Sequence, residues 1–514
     1  MAIHTFAAIY IGTYDVSLKV FEFTNRKKFH EVDHIRSRQE LGKGAYGTGT
    51  IGYEQVEELC ETLAQFKEIM ESYKVDSYEV CAAAALRDTT NEIFVLDQIY
   101  LRTGFRVKVL SNSEHRFISY KAVAGSPVFE EMIKTSAAVV DVGGASVQIT
   151  LFRDGKMITT QHMEAGIMRL RNLLGDRGYS LKMYENQIEE YVNKKLEGFR
   201  AMYMNTPVDY LILISDYADG LVKKIEEKGG KSRQVKLDKF SKFIDKLLKQ
   251  TLEEITAELN LSDEREPLII PALVLYKMMA QNVNPKEVWV PGANIQDGMA
   301  FDYAQHNKLL ASTHDFDADV ISAATFLSEH YHSFSPHIQT LSKLSIKIFD
   351  AMKQEHGLGK RARLLLQVAT ILHDCGKYVK FSFAEASEST YHIIMSSEII
   401  GLTHQEREIV AQIVRYNTLP LDPYEEVADV LSQEEYLCVA KLSAILRVAN
   451  ALDQSHKQKF KNIRIAVRER KLVITVEAFE DIALEQALFD AKTSYFENVY
   501  SMKPVLKEKR IYNY

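Results

Sequence analysis

The chain repeats one pattern of apolar and polar positions twice, about 130 residues apart. Residues 5–23 are rich in β-branched and aromatic side chains and break at a turn around Gly12. The pattern returns at residues 137–152, where an apolar run ends at Gly143 and Gly144 before another begins. Apolar runs divided by a glycine turn predict a strand, a tight turn and a strand. Helical and strand patterns alternate after each hairpin, so the sequence predicts duplicated α/β lobes with a cleft between them.

The periodicity changes after about residue 310. From residue 315 to residue 450 strand signals are almost absent, and apolar side chains recur at the spacing of long amphipathic helices. Alternation returns near the end, where two short strands around a charged turn precede a helix. We therefore expect four regions: an α/β lobe at 1–130, a second α/β lobe at 131–308, a helical domain at 309–456 and a small α+β region at 457–514.

The composition indicates a multidomain globular protein without membrane spans. A chain of 514 residues is too long for one hydrophobic core, and its 46% hydrophobic and 26% charged content is that of a globular protein. It contains no segment of about 18 uncharged apolar residues, so we expect no membrane span. The four cysteines lie far apart without a CxxC pair, which predicts reduced thiols. The N-terminal residues show no signal-peptide pattern, so we expect a cytoplasmic protein.

The second glycine turn has the composition of a phosphate site. Asp141 stands at the end of an apolar strand, and Gly143, Gly144 and Ser146 follow it. Glycines let the backbone approach a phosphate closely, and successive amides bind an anion. A carboxylate at the strand end is a suitable ligand for Mg²⁺. The alternative is a hairpin whose glycines only turn the chain, and the spacing alone does not separate these two interpretations.

Several segments resemble the Ppx/GppA family of exopolyphosphatases and guanosine pentaphosphate phosphohydrolases. The family's second phosphate loop is similar to residues 139–151 (VVDVGGASVQITL), its phosphate-binding arginine segment to residues 84–91 (AALRDTTN), and its catalytic glutamate segment to residues 110–115 (LSNSEH). Its C-terminal elements resemble residues 372–376 (LHDCG) and 445–456 (ILRVANALDQSH). The order of these matches along the chain is more specific than any one of them.

The resemblance implies an α/β fold of two actin/hexokinase-like (ribonuclease H-like) lobes, then an all-helical HD-type domain and a small α+β C-terminal tail. It also implies a homodimer, without a nucleic-acid partner, that releases terminal phosphate from inorganic polyphosphate or guanosine pentaphosphate with Mg²⁺ or Mn²⁺. Gly12 and Thr13 would belong to the first phosphate loop, and Arg87 would be a phosphate clamp. Asp141 would hold the metal, and Glu114 would be the general base. An acid placed at a helix N-terminus by the dipole alone is the other interpretation of Glu114.

The chain departs from the family pattern at the predicted cleft. Tyr10 stands where the first phosphate loop has an aspartate, and Asp15 lies further along. Asp216 introduces a carboxylate where the third phosphate segment offers amides, and a negative charge there would repel phosphate. Tyr10 and Asp216 leave open a second function, that of a catalytically weakened regulatory protein that binds polyphosphate or a guanosine alarmone.

The helical region carries its own candidate ligands. His337, then His373 and Asp374, then Asp453 follow the order of a metal-dependent HD phosphohydrolase. Imidazole and carboxylate ligands suit a divalent transition metal or Mg²⁺. Asn450 stands where the last acid is usual, with Asp453 one helical turn beyond it. The alternative is an HD fold without its own catalysis that serves polyphosphate binding and dimer formation.

Overall fold

The computed structural model describes residues 4–25, 28–175, 181–204, 206–215, 217–225, 233–261, 268–310, 314–380, 382–478 and 480–510. The chain divides into two compact units, Met1–Asp315 and Phe316–Tyr514. Within the described ranges, no helix is long and apolar enough to cross a membrane.

A five-stranded mixed sheet begins the first unit. Its strands are β1 (His4–Ile11), β2 (Asp15–Asn25), β3 (Lys28–Arg38), β4 (Ser77–Ala82) and β5 (Lys108–Val109). They lie in the order β3-β2-β1-β4-β5, with β1 antiparallel to β2 and parallel to β4. The helices of this lobe are α1 (Leu41–Gly47), α2 (Tyr53–Ser72), α3 (Ala84–Arg87), α4 (Glu92–Thr103), α5 (Asn112–Ala124) and α6 (Pro127–Ile133).

A six-stranded mixed sheet follows in the same unit. Its strands are β6 (Ser136–Val142), β7 (Val147–Arg153), β8 (Lys156–Met163), β9 (Tyr210–Ile214), β10 (Gln234–Lys236) and β11 (Glu287–Trp289). The helices are α7 (Ile167–Leu174), α8 (Leu181–Tyr203), α9 (Ala218–Ile225), α10 (Leu237–Leu247), α11 (Leu252–Leu259), α12 (Ile269–Val283) and α13 (Ile295–His306).

The two sheets share one strand order. In the second sheet, β8-β7-β6-β9-β11 repeats the arrangement β3-β2-β1-β4-β5 of the first, and β10 extends its edge. In both sheets an antiparallel hairpin comes first and a parallel strand then joins the first strand of that hairpin. The duplicated α/β lobes predicted from the two glycine hairpins are therefore confirmed.

Tyr10 and Asp141 occupy equivalent positions in these two lobes. Each is the penultimate residue of the first strand of its hairpin, opposite Ser17 in the first sheet and Gln148 in the second. Side chains alternate between the faces of a strand, so Tyr10 lies on the same face of β1 as the buried Phe6. The first lobe thus has a tyrosine at the place in the fold where the second lobe has a carboxylate.

Helix α13 returns from the second sheet to the first. Ile295 and Met299 of this helix belong to the apolar cluster on one face of β1. The side-chain amide of Gln296 donates hydrogen bonds to the carbonyl oxygens of Ala8 and Ser17, at 2.9 and 3.1 Å. Residues that follow the second sheet in sequence therefore complete the core of the first lobe.

The second unit is helical from residue 316 to residue 451 and ends in a three-stranded sheet of order β12-β13-β14. Its elements are α14 (Phe316–His330), α15 (Ser335–Ala351), α16 (Lys353–His356), α17 (Lys360–Leu372), α18 (Phe383–Ser396), α19 (His404–Arg415), α20 (Tyr424–Val427), α21 (Gln433–Ala451), β12 (Phe460–Arg468), β13 (Lys471–Ala478), α22 (Ala483–Tyr500) and β14 (Lys503–Arg510).

One apolar core serves both parts of the second unit. Leu472 and Ile474 of β13 and Phe489 of α22 are buried in the same cluster as Leu365 of α17 and Leu446 of α21. The terminal strands and helix are therefore packed on the helical part and have no separate core.

Candidate active site

A cavity of about 160 Å³ lies between the two lobes of the first unit, at the carboxyl ends of β1, β6 and β9. Ligands of open α/β sheets bind outside the carboxyl ends of the strands, at the edge where this cavity lies. The lining combines both glycine turns with side chains from strands and from α5, including Tyr10, Gly12, Thr13, Asp15, Arg36, Arg38, His115, Asp141, Gly143 and Gly144.

Oppositely charged groups face each other across this cavity. Asp15 and Asp141 supply two carboxylates, and Arg36 and Arg38 of β3 supply two guanidinium groups. Nη1 of Arg36 lies 3.6 Å from Oδ2 of Asp15, while Arg38 pairs with Glu40. The formal charge of the lining is therefore balanced, and a bound cation would make it positive toward an anionic ligand.

Hydrogen bonds to its carbonyl groups fix the conformation of the second glycine turn. The amide of Gly143 donates to the carbonyl of Ser146 at 3.0 Å and closes the turn. The amides of Ile167 and Met168, at the start of α7, donate to the carbonyls of Gly143 and Gly144 at 3.0 and 2.8 Å. The amide of Gly144 makes no hydrogen bond within the described part of the chain, so it is available to an anion.

The first glycine turn lies against the second. Gly12 donates to the carbonyl of Asp15 at 2.9 Å, and Thr13 accepts from the amide of Gly42 at 2.7 Å. A Cβ atom on Gly144 would stand 3.1 Å from Cβ of Thr13, so the two turns approach closely. The amide of Thr13 also has no hydrogen-bond acceptor among the residues that the structure describes. The two predicted phosphate turns therefore present an amide each at one cavity.

A chain of hydrogen bonds orients Tyr10 beside these turns. The guanidinium of the buried Arg116 donates to Oε1 of Gln148 at 3.3 Å, which directs the amide nitrogen of Gln148 to Nδ1 of His115, also at 3.3 Å. With Nδ1 accepting, Nε2 of His115 carries the proton and donates to the hydroxyl oxygen of Tyr10 at 3.0 Å. The hydroxyl proton of Tyr10 is then free to be donated elsewhere.

Both members of this pair are neutral. Burial, with the nearby charge of Arg87, lowers the pKa of His115 to about 3. Burial and the negative charge of Asp141 raise the pKa of Tyr10 above its usual range. Near pH 7 the cavity therefore contains an uncharged imidazole and an intact phenol at the end of β1.

Glu114 is engaged in the first turn of α5 and does not line the cavity. Its Oε2 accepts from the amide and hydroxyl of Ser111, at 3.0 and 2.8 Å, in a capping box, and Lys108 lies 3.3 Å from Oε1. Burial raises the pKa of Glu114, but the hydrogen bonds from Ser111 and the contact with Lys108 outweigh it, so the pKa is lowered. His115, one residue further along, faces the cavity instead. The catalytic role of Glu114 stays a prediction.

The other predicted residues of the first unit lie around the cavity rather than in its lining. Arg87 donates to the carbonyl of Leu110 at 2.7 Å and pairs with Asp88 at 3.3 Å. Ser146 closes the second turn through its carbonyl group. Asp216 lies outside the described residues. Its neighbour Ser215 lines the cavity and donates to the carbonyl of Val142 at 2.9 Å.

In the second unit, three of the four predicted ligands form one buried cluster. His337, His373 and Asp374 offer ligand atoms that all lie within 4.8 Å of one another. Asp453 is not part of this group. It contacts the cluster from outside, where its Oδ2 lies 2.8 Å from Nδ1 of His337.

Sequence reasoning missed four residues that shape the first cavity. Arg36 and Arg38 belong to β3, a charged edge strand without a clear apolar alternation. His115 had a signal: Ser111 and Glu114 have the spacing of a capping box, which turns the glutamate back toward the helix start. The remaining residue, Gln148, acts only through contacts between the lobes, which local sequence does not encode.

Family models match nearly the whole chain. The Ppx/GppA phosphatase family model matches residues 20–307, and the model for Ppx/GppA phosphatase, domain III, matches residues 321–492. Exopolyphosphatase 2 of Mycobacterium tuberculosis is 24% identical over 180 residues, which are 33% of this chain and 54% of that protein. The bifunctional 3-dehydroquinate synthase/phosphatase of Fusobacterium nucleatum is 23% identical over 155 residues, 28% of this chain and 22% of that protein. The chain thus spans about half or less of the length of these curated relatives.

Solved structures show the same fold. An exopolyphosphatase from Cytophaga hutchinsonii superposes with a TM-score of 0.54 and 19% identity, covering 60% of this chain and all of that one. The Aquifex aeolicus member of the Ppx/GppA family gives a TM-score of 0.51 and 18% identity, covering 61% of this chain and all of that one. These similarities support an actin/hexokinase-like fold. Because the two family models cover both compact units, the chain belongs to the Ppx/GppA phosphatase family.

Proposed function

We propose that the first unit is a phosphohydrolase that releases terminal phosphate from inorganic polyphosphate in the cavity between its lobes. The observation that carries this proposal is the meeting of the two glycine turns, each of which offers a backbone amide, through Thr13 and Gly144, beside the carboxylate of Asp141. Amides preorganised around a phosphoryl group stabilise the negative charge that develops on its oxygens. Guanosine pentaphosphate, which also ends in a phosphoanhydride, is the second substrate to test.

Asp141 and Asp15 are the residues that would hold Mg²⁺ or Mn²⁺. Both cations prefer oxygen ligands, and Mg²⁺ typically uses one or two carboxylates together with substrate phosphates and water. The two aspartates line the same cavity, one from each lobe. A bound cation would offset their charge and draw the terminal phosphate toward the glycine turns.

Tyr10 acts in this proposal as a neutral donor. Its hydroxyl oxygen accepts from His115, so its proton is directed to an oxygen of the terminal phosphate. This replaces the charge of an aspartate with a hydrogen bond and reduces the number of metal-side carboxylates. Only the family resemblance assigns proton transfer from the attacking water to Glu114; the carboxylates that face the cavity are Asp15 and Asp141.

The test is phosphate release from long-chain polyphosphate by the full chain with Mg²⁺ or Mn²⁺. Asp141→Asn should lower the rate at least 10²-fold, while Asp154→Asn, in the turn between β7 and β8, should keep the wild-type rate. The same assay with guanosine pentaphosphate compares the substrates. Wild-type protein that binds polyphosphate but releases no phosphate with either cation would overturn hydrolysis and leave the regulatory alternative.

A further inference from the structure

The histidine–aspartate cluster of the second unit combines ligand types that are suited to a metal ion. The side chains of His337, His373 and Asp374 are 0%, 1% and 7% exposed, and their ligand atoms lie within 4.8 Å of one another. They come from three different places, α15, the end of α17 and the turn after it. This is the only group of three such residues found among the described residues.

The hydrogen bonds around the cluster fix which ring nitrogen of each histidine carries a proton. Nδ1 of His337 lies 2.8 Å from Oδ2 of Asp453, and Nδ1 of His373 lies 2.8 Å from the carbonyl oxygen of Thr370. A carbonyl oxygen only accepts, and a carboxylate accepts, so each Nδ1 is the donor. Each Nε2 is left with a lone pair, the arrangement in which a histidine binds a metal.

The Nε2 atoms of His337 and His373 are available as metal ligands. Both are buried and make no hydrogen bond within the part of the chain that the structure describes. Nε2 of His373 lies 3.2 Å from Oδ1 of Asp374, so two atoms with lone pairs face each other at close range. Buried polar atoms are nearly always paired, and a cation between these atoms would satisfy all of them.

Asp453 is an outer partner of the cluster and not one of its ligands. Its Oδ1 accepts from the backbone amide of Gln458 at 2.8 Å, and its Oδ2 accepts from the side-chain amide of Gln458 at 3.1 Å. The carboxylate is thereby held toward Nδ1 of His337. Such a partner orients a metal-binding histidine and makes it a better ligand.

A separate cavity of about 630 Å³ adjoins the cluster and is suited to phosphate. His373 and Asp374 form part of its lining, together with three cationic side chains, those of Lys377, Arg447 and Lys492. Asp374 is the only acid in that lining, so the cavity is positive even before a metal is added. Hydroxyl and amide side chains supply further donors, among them Ser387, Thr418, Asn450 and Gln454.

One of the three cations, Lys377, pairs with the carboxylate of Asp374, its Nζ lying 2.7 Å from Oδ2. The other two, Lys492 and Arg447, contact neutral or aromatic groups. Nζ of Lys492 donates to Oε1 of Gln454 at 3.1 Å. The guanidinium of Arg447 lies 4.0 Å above the ring of Tyr495 and donates to backbone carbonyls of Tyr416 and Leu419. Neither side chain is paired with a carboxylate in these contacts, so their charges remain uncompensated.

We propose that His337, His373 and Asp374 bind one divalent transition-metal ion, and that the adjoining cavity binds the phosphate group of a small phosphate ester against it. Two imidazoles and one carboxylate suit Mn²⁺, Fe²⁺, Co²⁺ or Zn²⁺ and leave coordination positions for a phosphate oxygen. The site is separate from the cavity of the first unit and does not depend on the function proposed there.

The metal is tested on the full chain carrying both Asp15→Asn and Asp141→Asn, so that neither aspartate of the first cavity can hold a metal. The chain is treated with EDTA, incubated with Mn²⁺, Co²⁺ or Zn²⁺, desalted and analysed for metal. We expect one ion per chain with at least one of these metals, and loss of that ion in His373→Gln and in His337→Gln. His392→Gln, at an exposed histidine of α18, is the matched control and should retain it. No retained metal, or equal retention in all variants, would overturn the site.

The variant Asp453→Asn distinguishes loss of metal binding from misfolding of the chain. It leaves all three ligands in place and should weaken metal affinity by about 10–100-fold while the circular dichroism of the metal-free chain is unchanged. The phosphate half is tested by adding inorganic phosphate to the Co²⁺-loaded chain and following the visible absorption of Co²⁺. Phosphate should change that spectrum, and Lys492→Met should weaken the response at least 10-fold without loss of metal. A spectrum that does not respond to phosphate would overturn the ligand assignment.

Discussion

The hydroxyl of Tyr10 lies 3.0 Å from Nε2 of His115, and this contact joins the end of β1 to the first turn of α5. Asp141 occupies the place in the second lobe that Tyr10 occupies in the first. The first lobe therefore presents a neutral hydrogen-bonded pair where its duplicate presents a carboxylate. Asp141 keeps the acid that the family resemblance predicts, whereas Tyr10 replaces an acid with a neutral hydrogen-bond donor.

Tyr10→Phe removes the hydroxyl and keeps the ring. We expect phosphate release to fall by about 10²-fold, the effect of removing one donor to developing negative charge. The free energy of unfolding should fall by about 1–3 kcal/mol, because His115 keeps a buried N–H without its acceptor. Tyr303→Phe is the control, since Tyr303 makes a similar contact of 2.8 Å with His4 outside the cavity. Equal losses of turnover in the two variants would contradict a donor role for Tyr10.

The buried neutral state of His115 should make stability depend on pH. In the unfolded chain this histidine titrates near 6.5, while burial lowers its folded pKa to about 3. The unfolded state therefore binds more protons between these values, and stability falls as the pH decreases through this window. From pH 6.5 to pH 5 the loss should be about 2 kcal/mol.

Urea unfolding at several pH values measures this loss, and His115→Gln should remove most of it. His392→Gln, at an exposed histidine, should keep the wild-type dependence. The same pH dependence in His115→Gln as in the wild type would show that other groups cause it. His162 is a competing source, because burial lowers its pKa to about 3 as well, and His162→Gln measures that share.

Glu114 is expected to act as a helix cap. Gln at N3 of a capping box still accepts from the N-cap backbone, so Glu114→Gln should change phosphate release little and stability by less than about 1 kcal/mol. Glu114→Ala should cost about 1 kcal/mol, because two donors of Ser111 lose their acceptor. Glu254→Gln in the similar capping box of α11 provides the comparison. A large loss of turnover in Glu114→Gln alone would restore Glu114 as the general base.

Gly298 allows α13 to pack directly on α5. A Cβ atom at this position would stand 1.9 Å from the carbonyl oxygen of Ile118, so the two helices would have to separate. We expect Gly298→Ala to lower the free energy of unfolding by about 1–3 kcal/mol or more. Gly198→Ala, in α8 with open space around it, should instead raise stability by about 0.5–1 kcal/mol. Urea unfolding distinguishes the two, and equal effects would contradict the close approach of α13 and α5.

The apolar periodicity of the chain determined most elements of the fold. The region from residue 315 to residue 450, predicted to form long amphipathic helices, contains Lys360–Leu372, His404–Arg415 and Gln433–Ala451. A helix packed on a core keeps one apolar face through several turns, so its apolar residues recur at helical spacing in the local sequence. The two glycine hairpins were visible for the same reason, since their buried strands are nearly continuous apolar runs.

Three strands, all at sheet edges, were not predicted from the sequence. β3, β10 and β14 each pair with one neighbour, and their sequences carry charged residues that suit an exposed edge. The omission mattered for the site, because Arg36 and Arg38 of β3 line the first cavity. β3 has no clear apolar alternation, so its contribution to the site appears only when the sheet is assembled.

By itself, the sequence determined that a glycine turn follows each of two equivalent strands, and its resemblance to HD phosphohydrolases predicted His337, His373 and Asp374 as metal ligands. Only the tertiary structure decided which residue faces the first cavity and which atoms meet in the second cluster. His115 faces that cavity because Glu114 is turned back onto its own helix cap, and Asp453 supports His337 from behind. Such assignments depend on the direction of single side chains between segments distant in sequence, and this direction is set by packing and by hydrogen bonds that local periodicity does not contain.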